Sequence, residues 1–361
     1  MKKTINVGII GLGRVGATRR DLISKHPRLA VTAVCDVKQP GPGSGWEKFP
    51  YYAKYDALLE ADVDAVFVAT PNNITPKIVV AALRAGKHVF CEKPPGRGID
   101  DIEAICREEK KHKGLVLKFG FNHRYHGSVM EAKRILDEGA LGKVLWVRGI
   151  YGKAGSTTFE KEWRSSREVA GGGILLDQGI HMLDLFRFFL GDFSEVKSFV
   201  TTAYWHIDLE DNAFALMRND AGQIAFIHSS STQWKHTFSL DIYCENGYLS
   251  LQGILSSTRS YGGGERLIMA HKQFEDKAHA VGNPRETVIH FDTDRSWEME
   301  VKEFADCIVN NRRVQQGDSS DALKVMQLVD AIYRGDSTWQ EKRRSSKKAG
   351  AKPKKTRAGR G

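Results

Sequence analysis

The strongest constraint on this 361-residue chain lies near its start. The run Thr4-Ile5-Asn6-Val7-Gly8-Ile9-Ile10 is apolar and β-branched, Gly11-Leu12-Gly13-Arg14-Val15-Gly16 follows it directly, and a helical pattern continues to about Lys25. Strand, GxGxxG and helix in that order is the context that a dinucleotide-binding turn requires. The first glycine permits the turn, the second lets a pyrophosphate approach the backbone at the helix N-terminus, and the third lets helix pack on strand. Gly11, Gly13, Arg14, Val15 and Gly16 are therefore expected to hold a cofactor. A second strand-like run over 30–35 ends in Asp36, where a carboxylate can accept hydrogen bonds from an adenosine ribose. Asp36 would repel a 2′-phosphate, so NAD is expected; Lys38, two residues on, argues for NADP and leaves that choice open.

Strands and helices go on alternating to residue 120. A short helix over 54–60 and a strand over 65–69 lead to Thr70-Pro71-Asn72-Asn73, a helix over 76–85 stops at Gly86, and a strand over 88–91 leads to Glu92-Lys93-Pro94-Pro95. A helix over 100–113 and a strand over 115–120 complete the unit, and Phe121-Asn122-His123-Arg124-Tyr125 leads out of it. Alternation of this kind predicts a parallel sheet covered on both faces, with ligands at the carboxyl ends of its strands. Thr70, Pro71, Asn72, Glu92 and Lys93 fall at those ends and are expected on the cofactor side. Lys93 precedes a proline, which holds its backbone extended and allows its ammonium to be aimed into a cleft. A cis bond at Lys93-Pro94 or Pro94-Pro95 is compatible with the sequence.

A second stretch carries chemistry. Gly171-Gly172-Gly173 precedes a predicted helix in which Asp177, His181 and Asp184 stand at i, i+4 and i+7, on one face. An imidazole titrates near neutrality, and a carboxylate one turn away can orient it and favour its protonated form. That is the layout of a general base with its partner. No third ligand of suitable spacing follows Asp177 and His181, so no metal is expected. Ahead of the glycines, residues 151–173 are rich in Gly, Ser, Thr and Arg and read as a loop. Trp163 there could stack on a sugar face, and Arg164 and Arg167 could hold a carboxylate or diphosphate.

On Gly11–Gly16, Thr70-Pro71-Asn72, Glu92-Lys93-Pro94 and the stretch from Gly171 through Asp177, His181 and Asp184, the chain resembles the Gfo/Idh/MocA family of NAD(P)-dependent oxidoreductases, from residue 4 to about 335. The resemblance implies an α/β protein, with an N-terminal Rossmann domain and a C-terminal α/β domain whose large open antiparallel sheet commonly packs on another subunit, making a homodimer or homotetramer. It implies a sugar, cyclitol or nucleotide-linked sugar as substrate. Lys93 would contact the substrate hydroxyl and the nicotinamide end, Asp177 would bind substrate or orient the base, and His181 would be the acid/base. Arg124 and Tyr125 are expected to touch substrate. One departure is Thr75, three residues after Asn72, where the family often has histidine.

The boundaries expected are 1–125 for the cofactor domain, 126–335 for the substrate and oligomerisation domain, and 336–361 for a disordered basic tail. Short strands joined by tight turns, among them Glu245-Asn246-Gly247, mark 196–290 as successive hairpins. The polar run 228–236 is odd for a core strand and is expected at the cleft or a subunit interface. The net charge of +10 is carried entirely by ten Lys and Arg within 342–361, so the remainder is formally neutral. Five cysteines without CxxC spacing fit a reducing compartment. No apolar run approaches the roughly 18 residues of a membrane span, and no signal-peptide pattern opens the chain, so a cytoplasmic protein is expected. An alternative reading is a non-catalytic NAD(P)-sensing protein whose basic tail touches nucleic acid.

Overall fold

The computed structural model describes residues 4–256, 260–261 and 264–342. Most of the basic tail, with the nucleic-acid contact and disorder expected of it, lies outside the described residues. The first part of the chain alternates β1 (Ile5–Ile10), α1 (Arg14–Lys25), β2 (Leu29–Cys35), β3 (Tyr51–Tyr52), α2 (Tyr55–Leu59), β4 (Ala65–Val68), α3 (Thr75–Arg84), β5 (His88–Cys91), α4 (Ile99–Glu109) and β6 (Leu117–Phe119). Its strands form one parallel sheet in the order β3-β2-β1-β4-β5-β6. Central strands buried on both faces must be apolar throughout. Accordingly Ile9, which pairs with Val34 and Phe67, is fully buried, as is every residue of β4.

A 3₁₀ turn at Asn122–Tyr125 passes the chain to α5 (Gly127–Asp137) and then to β7 (Val144–Ala154). The loop expected from residue 151 therefore starts later: β7 continues for 11 residues, and alternation carries Tyr151 and Lys153 onto the face that already holds Val147 and Gly149. A short α6 (Arg167–Ala170), a π-helical turn at Leu175–Gly179 and α7 (Ile180–Leu190) follow. Then come β8 (Glu195–Thr201), β9 (Asn212–Arg218), β10 (Ile224–Ser230), β11 (Thr232–Cys244), β12 (Gly247–Gln252), β13 (Glu265–His271) and β14 (Thr287–Phe291). These join β7 in an eight-stranded sheet ordered β14-β13-β12-β11-β7-β10-β9-β8, antiparallel except between β7 and β10. Helix α7 covers one face, with Met182 and Phe186 packed where Gly149 leaves room. The other face presents Trp146, Phe199 and Leu216 to solvent, with Trp146 stacked on Tyr243 and Tyr243 on Tyr248.

The closing helices are α8 (Ser296–Asn310) and α9 (Ser319–Gly335). Although α8 follows the second sheet in sequence, it returns to the first: Phe304 meets Phe67 and Phe90 edge-on. Arg19 of α1 is wholly buried under it, between the rings of Phe90 and Trp297, and is neutralised by Glu92 and Glu300. Order does not end at Gly335 as expected. Asp336 accepts from the backbone of Val200, and Trp339, a large apolar side chain in that segment, is buried.

Candidate active site

The carboxyl edge of the parallel sheet bears the glycine turn. Gly11 has φ +98°, and a Cβ there would strike the carbonyl of Ala69, so only glycine fits. A Cβ on Gly13 would meet nothing within 4 Å, so the backbone at the start of α1 faces open space, as the approach of a pyrophosphate requires. Arg14 opens α1 on the exposed side and Val15 follows it, half-buried. Asp36 lies beside this turn: Oδ2 accepts from the Leu12 N–H at 2.8 Å and Oδ1 from the Lys38 N–H at 3.3 Å. Its carboxylate therefore fastens the loop and retains lone pairs for a diol. These residues fit the adenosine-diphosphate half of a dinucleotide.

The other edge loops are held differently from what their motifs suggest. Asn72 donates its amide to the Ala170 carbonyl at 2.8 Å and so ties the Thr70-Pro71-Asn72 segment to the triple glycine. Thr75, the first residue of α3, bonds through its hydroxyl to Thr70 and to the carbonyl of Pro71. Glu92 accepts from Arg19 at 2.6 Å, which makes it an anchor for α1. Lys93, whose peptide bond to Pro94 is cis, crosses the cleft and donates to the carbonyl of Asp177 at 2.6 Å.

Glu210, which sequence reasoning did not single out, holds the triple-glycine stretch. Its Oε1 accepts from Gly173 N at 2.8 Å, Leu175 N at 3.1 Å and the Tyr333 hydroxyl at 2.7 Å. The chain then makes the π-helical turn, and this changes the expected arrangement of acid and base. Asp177 turns away from His181: its Oδ2 accepts from Lys153 at 2.9 Å and its Oδ1 from Arg164 at 3.4 Å. Nδ1 of His181 is buried without a hydrogen-bond partner, and the ring stacks on His123 with centroids 3.8 Å apart. Asp184, expected on the same catalytic face, is wholly buried in a two-point ion pair with Arg124.

His123, too, went unassigned from sequence. Its Nδ1 lies 3.1 Å from the Asn122 side-chain oxygen and its Nε2 3.1 Å from the Tyr151 hydroxyl. Since that oxygen can only accept, the Nδ1 carries the proton and Tyr151 donates to Nε2. Tyr151 packs against Tyr261, which bonds with Gln178 of the π-helical turn. Lys153 falls in the segment expected to be loop, and the alternation Val147, Gly149, Tyr151, Lys153 is the sequence signal that places it on the site face of β7.

The five expected substrate ligands separate in the structure. Trp163 and Arg164 stay at the site, with the guanidinium 4.3 Å from the indole centroid. Arg167 pairs with Asp208 instead. Arg124 is buried and spends three nitrogens on Asp184 and Asp321, and Tyr125 bonds to Glu303 and Lys118. Arg124 and Tyr125 are thus structural, since their polar atoms are already satisfied inside the protein.

Electrostatics define what the site can do. Burial pushes the His181 imidazole well below its ordinary pKa, and the charge of Lys93 adds to that, so the ring is neutral near pH 7, with a nitrogen lone pair available to a proton but a basicity below that of a free imidazole. The sequence-based expectation of a favoured protonated form is reversed. His123 is held low by burial and by His181. Burial lowers the Lys93 ammonium and Asp177 partly restores it. Burial opposes the charge of Asp177, yet Lys153, Lys93 and Arg164 hold it well below the usual carboxylate range. A reaction that needs neutral His181 should therefore have its acid limb below about pH 6.5 in kcat/KM. An acid limb centred above that value would remove His181 from the role of base.

Residues 5–120 match the model of an oxidoreductase family with an NAD-binding Rossmann fold, and residues 129–250 match the GFO/IDH/MocA C-terminal domain. The chain belongs to the GFO/IDH/MocA oxidoreductase family. Levoglucosan dehydrogenase of Pseudarthrobacter phenanthrenivorans is 30% identical over 222 residues, which span 55% of each chain. Inositol 2-dehydrogenase of Salmonella typhimurium is 27% identical over 269 residues, 70% of this chain and 76% of that one. A solved levoglucosan dehydrogenase in complex with NADH superposes with a TM-score of 0.81 at 21% identity, covering 93% of this chain and 98% of the other. At that identity, the GFO/IDH/MocA likeness in three dimensions concerns the fold.

Proposed function

We propose that this chain is an NAD-dependent dehydrogenase of a secondary alcohol on a sugar, cyclitol or nucleotide-linked sugar. The observation that carries the reading is Lys93, which reaches from the edge of the cofactor sheet to the backbone of Asp177 and places its charge beside neutral, buried His181. The named activities of the inositol and levoglucosan relatives support the choice of substrate class.

Bound NAD supplies the hydride acceptor. Gly13 and the start of α1 would receive the pyrophosphate, with Gly11 and Gly16 shaping the turn and its packing; Asp36 would hold the adenosine ribose, and Thr70, Pro71 and Lys93 would border the nicotinamide end. His181 takes the proton of the substrate hydroxyl, and the Lys93 ammonium lowers the energy of the developing alkoxide. Stacking on His123 fixes the plane of the His181 ring. Asp177 holds Lys153 and Arg164 and, through its carbonyl, Lys93. The same base serves the reverse reaction, so ketone reduction uses the same residues. The boundary near residue 125 and an assembly through the aromatic outer face of the eight-stranded sheet belong to this proposal. So do Trp163 and Arg164 as substrate contacts and a cytoplasmic location; among the described residues no helix is long and apolar enough to cross a membrane.

Replacing Asp36 by alanine removes a hydrogen bond to a charged group, so KM for NAD should rise about tenfold to a hundredfold while KM for NADP falls or stays level. Steady-state kinetics with both cofactors measures this. An unchanged preference would show that Asp36 only braces the loop. The activity itself is tested by NADH formation with a panel of secondary alcohols, described below.

A further inference from the structure

The dehydrogenase reading leaves open what else the substrate carries, and the charge balance of the same site narrows it. Three cations converge on one residue: Lys153 and Arg164 on the two carboxylate oxygens of Asp177, and Lys93 on its backbone carbonyl. The other groups facing them carry no compensating charge. His181 and His123 are neutral, and burial pushes the hydroxyls of Tyr151 and Tyr261 up, so both remain protonated. Three other acids are committed elsewhere. Glu265 accepts from His126 and the backbone of Ser128, Glu92 is held by Arg19, and Asp184 by Arg124. Even if Lys93 releases its proton, Lys153 and Arg164 outnumber Asp177.

Arg164 has the geometry to use this excess. Its guanidinium lies over the Trp163 ring, its side chain is 38% exposed, and among the described residues Nε is its only nitrogen with a protein acceptor. The remaining edge of the planar fork is the shape that grips a carboxylate or phosphate at two points. Lys153 bonds the other oxygen of Asp177, with its side chain 25% exposed. Positive groups that are partly desolvated and undercompensated favour an anion over a neutral ligand.

We infer that the site takes a polyhydroxylated substrate bearing an oxyanion, which the Arg164 fork and Lys153 hold beside His181. This rests on the dehydrogenase reading of the same site. A carboxylate and a phosphate share the recognition chemistry, and the test separates them.

The test is equilibrium binding to the full-length protein with NADH present, by titration calorimetry. Matched ligands differing only at one terminal carbon are compared: D-glucose, D-glucuronate and D-glucose 6-phosphate, and the same three forms of galactose. At least one anionic member should bind about tenfold or more tightly than its neutral partner. Whether that member is the uronate or the phosphate ester identifies the oxyanion. The preference should fall to within about twofold in Arg164→Met and be partly restored in Arg164→Lys, which keeps the charge without the fork. Equal or tighter binding of the neutral sugars overturns the inference, as does failure of every anionic sugar to bind, or a preference that Arg164→Met leaves intact. The parent reading is judged separately. If a neutral polyol is oxidised without any anion preference, the dehydrogenase stands and the anion assignment falls. If anionic sugars bind tightly but no alcohol reduces NAD, the assignment stands and the dehydrogenase falls.

Discussion

Replacing His181 by alanine should lower kcat for alcohol oxidation by a factor on the order of 10³, with the affinity for NAD changed little. The imidazole is buried and neutral, so it is the group that can take a hydroxyl proton near neutral pH, whereas Asp177 is held far below the range in which a carboxylate makes an effective base. Lys93→Met should cost a factor on the order of 10² or more, because it removes the charge that faces the developing alkoxide. The two losses should not add, since both groups act on one oxygen; the double variant should sit close to His181→Ala. Titration of NAD by protein fluorescence separates these effects from a damaged cofactor site. A His181→Ala protein that binds NAD and turns over at the parent rate would end the assignment.

The second large effect concerns stability. Arg124 and Asp184 are both buried, joined by bonds of 2.8 and 2.6 Å, and Arg124 also reaches Asp321 at 2.7 Å. Arg124→Met strands the Asp184 carboxylate in the interior and should cost about 3–5 kcal/mol. In thermal unfolding that appears as a midpoint lowered by roughly 10 °C. Adding Asp184→Leu removes the stranded charge and should recover part of the loss, because a buried pair exchanged for apolar groups of similar volume is often close to neutral. If Arg124→Met unfolds like the parent but loses substrate affinity, Arg124 is a ligand after all.

These outcomes bear on what a chain reveals before it is folded. The glycine turn, Asp36 and Lys93 were legible because each depends on local order alone: a strand, the turn after it, and a residue held at the strand's end. The parallel sheet followed from the alternation of short apolar runs with helices. The candidate base was legible too, but not its surroundings. A π-helical turn leaves no mark in a pattern read at a period of 3.6, and it sends Asp177 to Lys153 and Arg164 instead of to His181. Lys153 depended on how far one strand ran, and His123 on a stacking contact across 58 residues of sequence. Arg124, Tyr125 and Arg167 show the limit of reasoning by residue type. Arginine suits an anionic ligand and an internal carboxylate equally, and only the fold supplies Asp184, Glu303 and Asp208 as partners.

The most direct test of the central claim is reduction of NAD by the full-length protein with a panel of cyclitols, anhydrosugars, uronates and nucleotide-linked sugars, read as NADH absorbance. The account predicts that at least one secondary alcohol in the panel yields NADH. It also predicts that the rate falls when the carbon bearing the hydroxyl is deuterated, and nearly vanishes in His181→Ala. NADH formation that persists undiminished in His181→Ala, or no NADH from any alcohol by a protein shown to bind NAD, would contradict it.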